Sequence, residues 1–375
     1  MADRDPVEVR LSDSFESVDA RTWDRLAGSD DPFLSHAFFA ALEASGSVGE
    51  DTGWSPLPLT VARGDETVGA APAFLKTHSQ GEYVFDHGWA DAWARAGGDY
   101  YPKLQIAVPF TPVVGRRLLG PEPALVLAGA ETLVRQNGLS SAHVTFLTEA
   151  EAAAAEERGW LVRHGVQYHW RHAGEADFDG FLGRCSSRKR KAIRRERAAA
   201  REGLTFRQLR GAEIGPAEMD AMWGFYQDTG SRKWGQPYLT HAFFAEAVER
   251  LGDQLLLFLA ERDGRPIAGA LNWVGADTLF GRYWGCSEEV PFLHFELCYY
   301  QAIEWAIAHS LATVQAGAQG EHKLARGYEP VLTYSAHFIP HGGFRAAVAE
   351  FLEREREAVA FELEAMRGEL PFRKD

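Results

Sequence analysis

One short string occurs twice in this chain. Residues 33–46 read FLSHAFFAALEASG and residues 238–252 read YLTHAFFAEAVERLG, so that His36 matches His241. Both copies carry Ser or Thr followed by His-Ala-Phe-Phe-Ala, and 375 residues are enough for two domains of ordinary size. The repeat therefore constrains the chain to two related halves. Ser35 and Thr240 each stand where an N-cap belongs, with an amphipathic helix expected to follow.

The order of elements after each copy agrees with this. Residues 57–75 read as strand, Gly-Asp turn, strand, and residues 255–274 as strand, Asp-Gly turn, strand. A third strand is expected at 82–90 in the first half and at 278–287 in the second. Each half then changes to strand–helix alternation. The first reads as strand 103–110, loop 115–123, helix 124–138, strand 141–147 and helix 149–159. The second reads as helix 294–310, strand 313–319, a turn with a short helix at 320–328, and strand 332–339. A long helix at 344–367 closes the chain. An antiparallel meander feeding a strand–helix–strand unit, written twice, is the element order of the GNAT acyltransferase fold. The expected fold class is α/β (α+β), with two tandem GNAT-like domains of mixed sheet, at 1–170 and 171–375.

Several strings sharpen this. YYPKLQIAVPFTPVVGRRLL (100–119), SSRKRKAIRRE (186–196), RYWG (282–285), LHFELCYYQAIEWAI (293–307) and GAQGEHKLARGYEPVLTYSAHF (317–338) resemble the FemAB-like N-acyltransferases, a group associated with peptidoglycan biosynthesis. The last string is the most specific, because it is long and rich in polar residues that no core requires. The resemblance implies transfer of an acyl or aminoacyl group from acyl-CoA or an aminoacyl-tRNA to a small-molecule or peptide amine. No tightly bound cofactor is expected, and tRNA is a possible partner. One departure stands out. Acetyl-CoA-dependent GNAT enzymes carry Arg or Gln, two residues, Gly, one residue, then Gly or Ala, where backbone N–H groups hold the pyrophosphate. This chain has Val113-Val114-Gly115-Arg116-Arg117 there in one half and Glu288-Glu289-Val290-Pro291-Phe292-Leu293 in the other.

Direct acyl transfer to an amine needs a proton acceptor, donors for the oxyanion, and an acid for the leaving group. The candidates lie mostly in the second half. His294 and Glu296 open a helix, and Glu296 shares a face with Tyr300 and Glu304. Helix capping would account for the first two equally well. Glu321, His322, Lys323 and Arg326 fall in a Gly-flanked turn behind a strand, a common place for ligand contacts in open α/β sheets. Tyr283 and Trp284 are neighbours on a strand and so face opposite sides. His337 alternates with Ser335 and Thr333, as a hydrogen-bonded core histidine would. The catalytic candidates are thus Glu296, Glu321, His294, His322 and Tyr283. Lys323, Arg326 and Trp284, with Lys103, Arg116 and Arg117 of the first half, are candidates for holding substrate.

The chain is acidic, with 53 Asp and Glu against 39 Lys and Arg. Against that background, residues 184–201 carry nine basic residues and one acid. Arg188, Lys189, Arg190, Arg194 and Arg195 are the candidates for gripping a donor's phosphates. The alternatives are a solvated helix, or a non-catalytic GNAT scaffold that holds nucleic acid. His294, Glu296, Glu321 and His322 match no strong metal motif, so no metal is expected. Cys185, Cys286 and Cys298 form no CxxC pair, which argues against a disulfide framework. The polar, acidic start and the lack of a long apolar run make a cytoplasmic location the expectation.

Overall fold

The computed structural model describes residues 6–233, 237–317 and 320–373. The chain forms two compact units and passes between them three times, at 165/166, 331/332 and 361/362. The first unit holds the residues up to Gly165 together with Leu332–Phe361; the second holds Val166–Val331 and the chain from Glu362.

The first unit begins with β1 (Val7–Leu11), α1 (Ala20–Ala27), α2 (His36–Ala44), β2 (Trp54–Pro56), β3 (Leu59–Arg63), β4 (Glu66–Ala71) and β5 (Ala73–Lys76). It continues through α3 (His87–Arg95), β6 (Lys103–Ile106), α4 (Pro123–Asn137), β7 (Ala142–Leu147), α5 (Glu149–Glu157) and the start of β8 (Leu161–Arg171). β1, β3 and β4 form a small antiparallel sheet. A second sheet runs β2–β5–β6–β7, with β6 parallel to β7. Gly64 (φ +59°) makes the tight turn between β3 and β4, and Gly138 (φ +64°) ends α4 in the left-handed conformation. The second sheet has two different faces. Leu104, Ile106, Ala142 and Val144 point into an apolar core under α4 and α5. The alternate residues Lys103, Gln105, His143 and Thr145 are polar and equally buried.

The second unit contains α6 (Phe178–Arg184), α7 (Ser187–Arg201), β9 (Thr205–Arg210), α8 (Pro216–Lys233), α9 (His241–Leu251), β10 (Leu255–Arg262), β11 (Arg265–Val274) and β12 (Thr278–Cys286). A helix over residues 293–308, α10, and β13 (Thr313–Gln315) follow. After a 3-10 turn at Glu321–Arg326 come β14 (Glu329–Phe338) and α11 (Gly342–Arg367). The last five residues of β14 pair with β7 inside the first unit. In the second unit β9, β10, β11 and β12 form an antiparallel meander, β13 lies parallel to β12, and the end of β8 is antiparallel to β13. Asp263 and Gly264, both at positive φ, form the β10–β11 hairpin, the pairing this turn favours.

The repeated string produces the same local structure twice. Ser35 Oγ accepts from the Phe38 N–H and Thr240 Oγ1 from the Phe243 N–H, each at 3.3 Å. Both Phe-Phe pairs are buried, as the shared pattern requires. The two histidines have different partners: His36 meets the Phe15 carbonyl and His241 meets Asp220.

One expected strand is absent. Residues 82–90 do not form a third strand; the segment before Asp86 is irregular and α3 begins at His87. The string EYVFDHGWA read as a strand, but Tyr83 adopts φ +59° while Glu82 and Asp86 turn inward to Lys103. A buried ion pair overrides a weak local pattern here.

Replacing Ser35 or Thr240 with Ala removes a partner from a helix N-terminus. Each change is expected to lower unfolding free energy by about 1 kcal/mol, read by urea denaturation. Unchanged midpoints would show that neither cap holds its helix.

Candidate active site

β12 and β13 pair through three positions, from Thr278 with Thr313 to Phe280 with Gln315. β12 then runs on to Cys286 while β13 stops, so the sheet of the second unit parts here. α10 begins beside the parting, and its second turn, Glu296–Tyr300, is a π-helical segment of a kind often found at functional sites. Trp284 lies 5.1 Å from His294 between ring centres, and His294 lies 6.0 Å from His322. Nε2 of His322 is 2.9 Å from the Tyr299 hydroxyl. Arg326 fixes the turn. Its guanidinium sits 3.4 Å over the Phe295 ring, and it donates to the His322 carbonyl and to Glu196. Glu196 also accepts from the Tyr300 hydroxyl.

Lys323 is the most unusual group at this place. It is 2 % exposed, and its Nζ donates to the Gly317 carbonyl at 2.8 Å and lies 5.7 Å over the Tyr168 ring. Burial pushes its amine down to about 7; Cys298 opposes this weakly and Arg282 adds to it. An amine poised there exchanges a proton readily near neutral pH.

The parting thus gathers Trp284, His294 and His322, with Arg326 against Phe295 beside them, while Lys323 follows His322 in the same turn and its amine meets Gly317 and Tyr168. Two other candidates point elsewhere. Tyr283 faces the other side of the sheet, against Trp273 and Tyr226. Glu296 turns to α7 and accepts from Nε and Nη2 of both Arg197 and Arg201. Its exposure is 0 %, so the candidate base lies in the core, bound to two arginines, rather than beside an acceptor. The Glu321 side chain lies outside the described residues. The basic run is divided as well. Arg197 and Arg201 serve Glu296, and Arg194 pairs with Asp179 at 2.9 Å. Arg188 and Arg195 remain exposed, with Lys189 and Arg190 half-buried.

In the first unit, Lys103 is enclosed. Its Nζ donates to Ser79 (2.9 Å), Glu82 (2.8 Å) and Asp86 (2.5 Å). Burial raises Glu82 to about 7. Burial acts the same way on Asp86, but Lys103 outweighs it and holds that carboxyl below the usual range. Asp86 accepts from the Tyr100 hydroxyl at 2.6 Å. Tyr100 neighbours His143, whose Nδ1 is 2.6 Å from Nδ1 of His337. Burial depresses both imidazoles, His143 to about 3. His337 also bonds Ser335, so it is a satisfied core histidine. Arg116 and Arg117 donate to backbone carbonyls, those of Ala27 for Arg116 and of Val113, Thr145 and Arg116 for Arg117. Sequence reasoning missed Glu82, Asp86, Tyr100 and His143. The available signal was polar alternation on neighbouring strands, Lys103 with Gln105 and His143 with Thr145.

The loops that would hold a CoA pyrophosphate in a GNAT enzyme do not fit one. In the first unit, the N–H groups of Arg117 and Leu118 are both taken by Glu151 Oε1, at 2.8 and 2.7 Å. In the second, the loop carries Glu288, bonded to Arg262, and Glu289. Among the described residues, no group of three or more His, Cys, Asp or Glu is arranged to hold a metal. Nor is any described helix long and apolar enough to cross a membrane.

Residues 14–374 match the model of the FemAB-like family, described by peptidoglycan biosynthesis or recognition. The chain belongs to the FemAB-like family. Among solved structures, it is similar to FemX, with a TM-score of 0.55 and 11% identity over 91% of this chain and 100% of that one. It is also similar to the C-terminal domain of a putative lysylphosphatidylglycerol synthetase from Agrobacterium fabrum, with a TM-score of 0.52 and 13% identity over 89% and 95%. A conserved protein of unknown function from Bacteroides thetaiotaomicron gives a TM-score of 0.51 at 11% identity over 88% and 100%. No curated protein sequence matches the chain. At these identities the likeness is one of fold: tandem GNAT-like domains, with a long helix near the C-terminus in this FemAB-like chain.

Glu296→Gln leaves two guanidiniums against a neutral amide. Breaking a buried pair of this kind costs about 3–5 kcal/mol, and denaturant unfolding should show that loss. A loss under 1 kcal/mol would mean that the pair does not hold α7 to α10. Lys323 gives a second test. Between pH 7 and 10.5 the unfolded chain holds a proton on this residue that the folded chain lacks. Its contribution therefore makes stability rise with pH across that window, and its cost is complete below pH 7. Lys323→Met should stabilise most at or below pH 7, with the difference from wild type shrinking towards pH 10.5. A pH-independent difference contradicts this.

Proposed function

We propose that this FemAB-like protein is an acyltransferase that moves an acyl or aminoacyl group from an ester or thioester to an amine, with Lys323 as the proton acceptor. The observation that carries the reading is a buried lysine with its amine near 7 at the parting of a GNAT-like sheet. Family membership and fold support transferase chemistry in general. Neutral Lys323 takes a proton from the acceptor ammonium. The freed nitrogen attacks the acyl carbon, a C–N bond forms, and the bond from that carbon to the donor's oxygen or sulfur breaks. Lys323 returns its proton to the departing atom, and the second nitrogen proton leaves to solvent. In this reading His294 and His322 donate to the tetrahedral oxygen.

The donor reading follows from charge. Neither loop suits a pyrophosphate, whereas α7 presents Arg188, Lys189, Arg190 and Arg195. A polyanionic carrier such as an aminoacyl-tRNA suits this stripe better than CoA. The basic stripe also favours the second reading, a nucleic-acid-binding scaffold without chemistry.

The test supplies purified protein with charged tRNA or acyl-CoA mixtures and amine acceptors, and detects the amide by mass spectrometry. Lys323→Met should lower turnover by roughly 10²–10⁴-fold, and wild-type turnover should rise through pH 7. Reversing Arg190 and Arg195 should weaken charged-tRNA binding and reduce its salt dependence. tRNA binding with no transfer from any donor would favour the scaffold reading. Full turnover in Lys323→Met would remove Lys323 from the mechanism.

A further inference from the structure

A groove of about 350 Å³ opens in the second unit between α6, α7 and α10. Arg194, Arg197 and Arg201 line it along α7, facing Asp179, Glu304 and the Phe178 ring. The charges are arranged in two layers. The inner layer is fixed: Glu296, fully buried, accepts from Nε and Nη2 of both Arg197 and Arg201 and so holds two guanidiniums side by side. Arg197 also lies 4.3 Å over Phe178, which keeps its plane in place. The outer layer is loose. Arg194 meets Asp179 at 2.9 Å with both side chains more than half exposed. Glu304 meets Arg197 at 2.6 Å and Arg201 at 3.7 Å with 43% of its side chain exposed. The Arg194–Asp179 pair, solvated on both sides, contributes little.

The balance of sign selects the ligand. A simple anion meets Asp179 and Glu304 as well as the guanidiniums, and a simple cation meets three arginines. A molecule carrying both charges can satisfy both sets. Asp177, which also lines the groove, is committed to the Gly180 N–H as the cap of α6. Phe178 and Leu182 supply an apolar wall. The volume is at the lower end of the ~300–1,000 Å³ common for ligand pockets.

We propose that this groove binds a small zwitterion, a free amino acid or dipeptide with an apolar side chain. Its carboxylate lies against Arg194 and the Nη1 edge of Arg201, its ammonium against Asp179 and Glu304, and its side chain on Phe178. The site is separate from the sheet parting and does not depend on the transferase reading.

The test is calorimetric titration of the full chain with L-leucine, leucyl-leucine, L-leucinamide and N-acetyl-L-leucine. Leucine or the dipeptide should bind, with the amide (no carboxylate) and the acetyl derivative (no ammonium) at least tenfold weaker. Arg194→Ala and Asp179→Asn change exposed side chains, so the fold should survive while affinity falls by at least fivefold. Equal binding of all four compounds, no heat with either zwitterion, or wild-type affinity in both variants would overturn the proposal.

Discussion

The second unit depends on a short parallel pairing. β12 and β13 share three registers before β13 ends and β12 continues. Parallel strands need a crossover, here α10, and the helix must start at the end where the strands part. That one constraint delivers Trp284 from β12, His294 from the helix start, and His322 and Lys323 from the turn behind β13. The four come from three different elements. Opposite the parting, the same helix turns Glu296 towards α7. One helix therefore serves two ends: its N-terminal residues face the opening, and its buried carboxylate fastens the basic helix.

The first unit makes a different use of the same fold. One face of its sheet is an ordinary apolar core. The other buries Lys76, Lys103, Gln105 and His143, and Lys76 is directly opposite Lys103 across the β5–β6 pair. Burying two amines side by side is costly unless carboxylates compensate. Glu82 and Asp86 do so for Lys103, while Lys76 is pushed down to about 7. The loop that supplies those acids cannot at the same time be the third strand of a meander.

Much of the architecture was legible in the sequence because it rests on local rules. The repeated string specifies two capped helices, Asp263-Gly264 specifies a hairpin, and Gly138 specifies a helix end. The long polar string 317–338 pointed to the turn that carries His322 and Lys323. What failed to show was decided by tertiary partners. Nothing in the residues around Glu296 announces two arginines that lie 95 and 99 positions earlier. Tyr283 and Glu296 were candidates for the same site as His294, yet strand alternation and helix phase send both away. Glu82 and Asp86 read as a strand because their partner, Lys103, lies 21 and 17 residues on.

Lys323 shares its proton easily near neutral pH because it is buried with, among the described residues, one hydrogen-bond acceptor and no carboxylate partner. The most direct measurement is an NMR titration of its side chain, with selectively labelled lysine and Lys323→Met to assign the signal. The expected midpoint is near 7. A midpoint close to the ordinary lysine value of 10.5 would mean that the amine stays charged at neutral pH, and Lys323 could not be the proton acceptor.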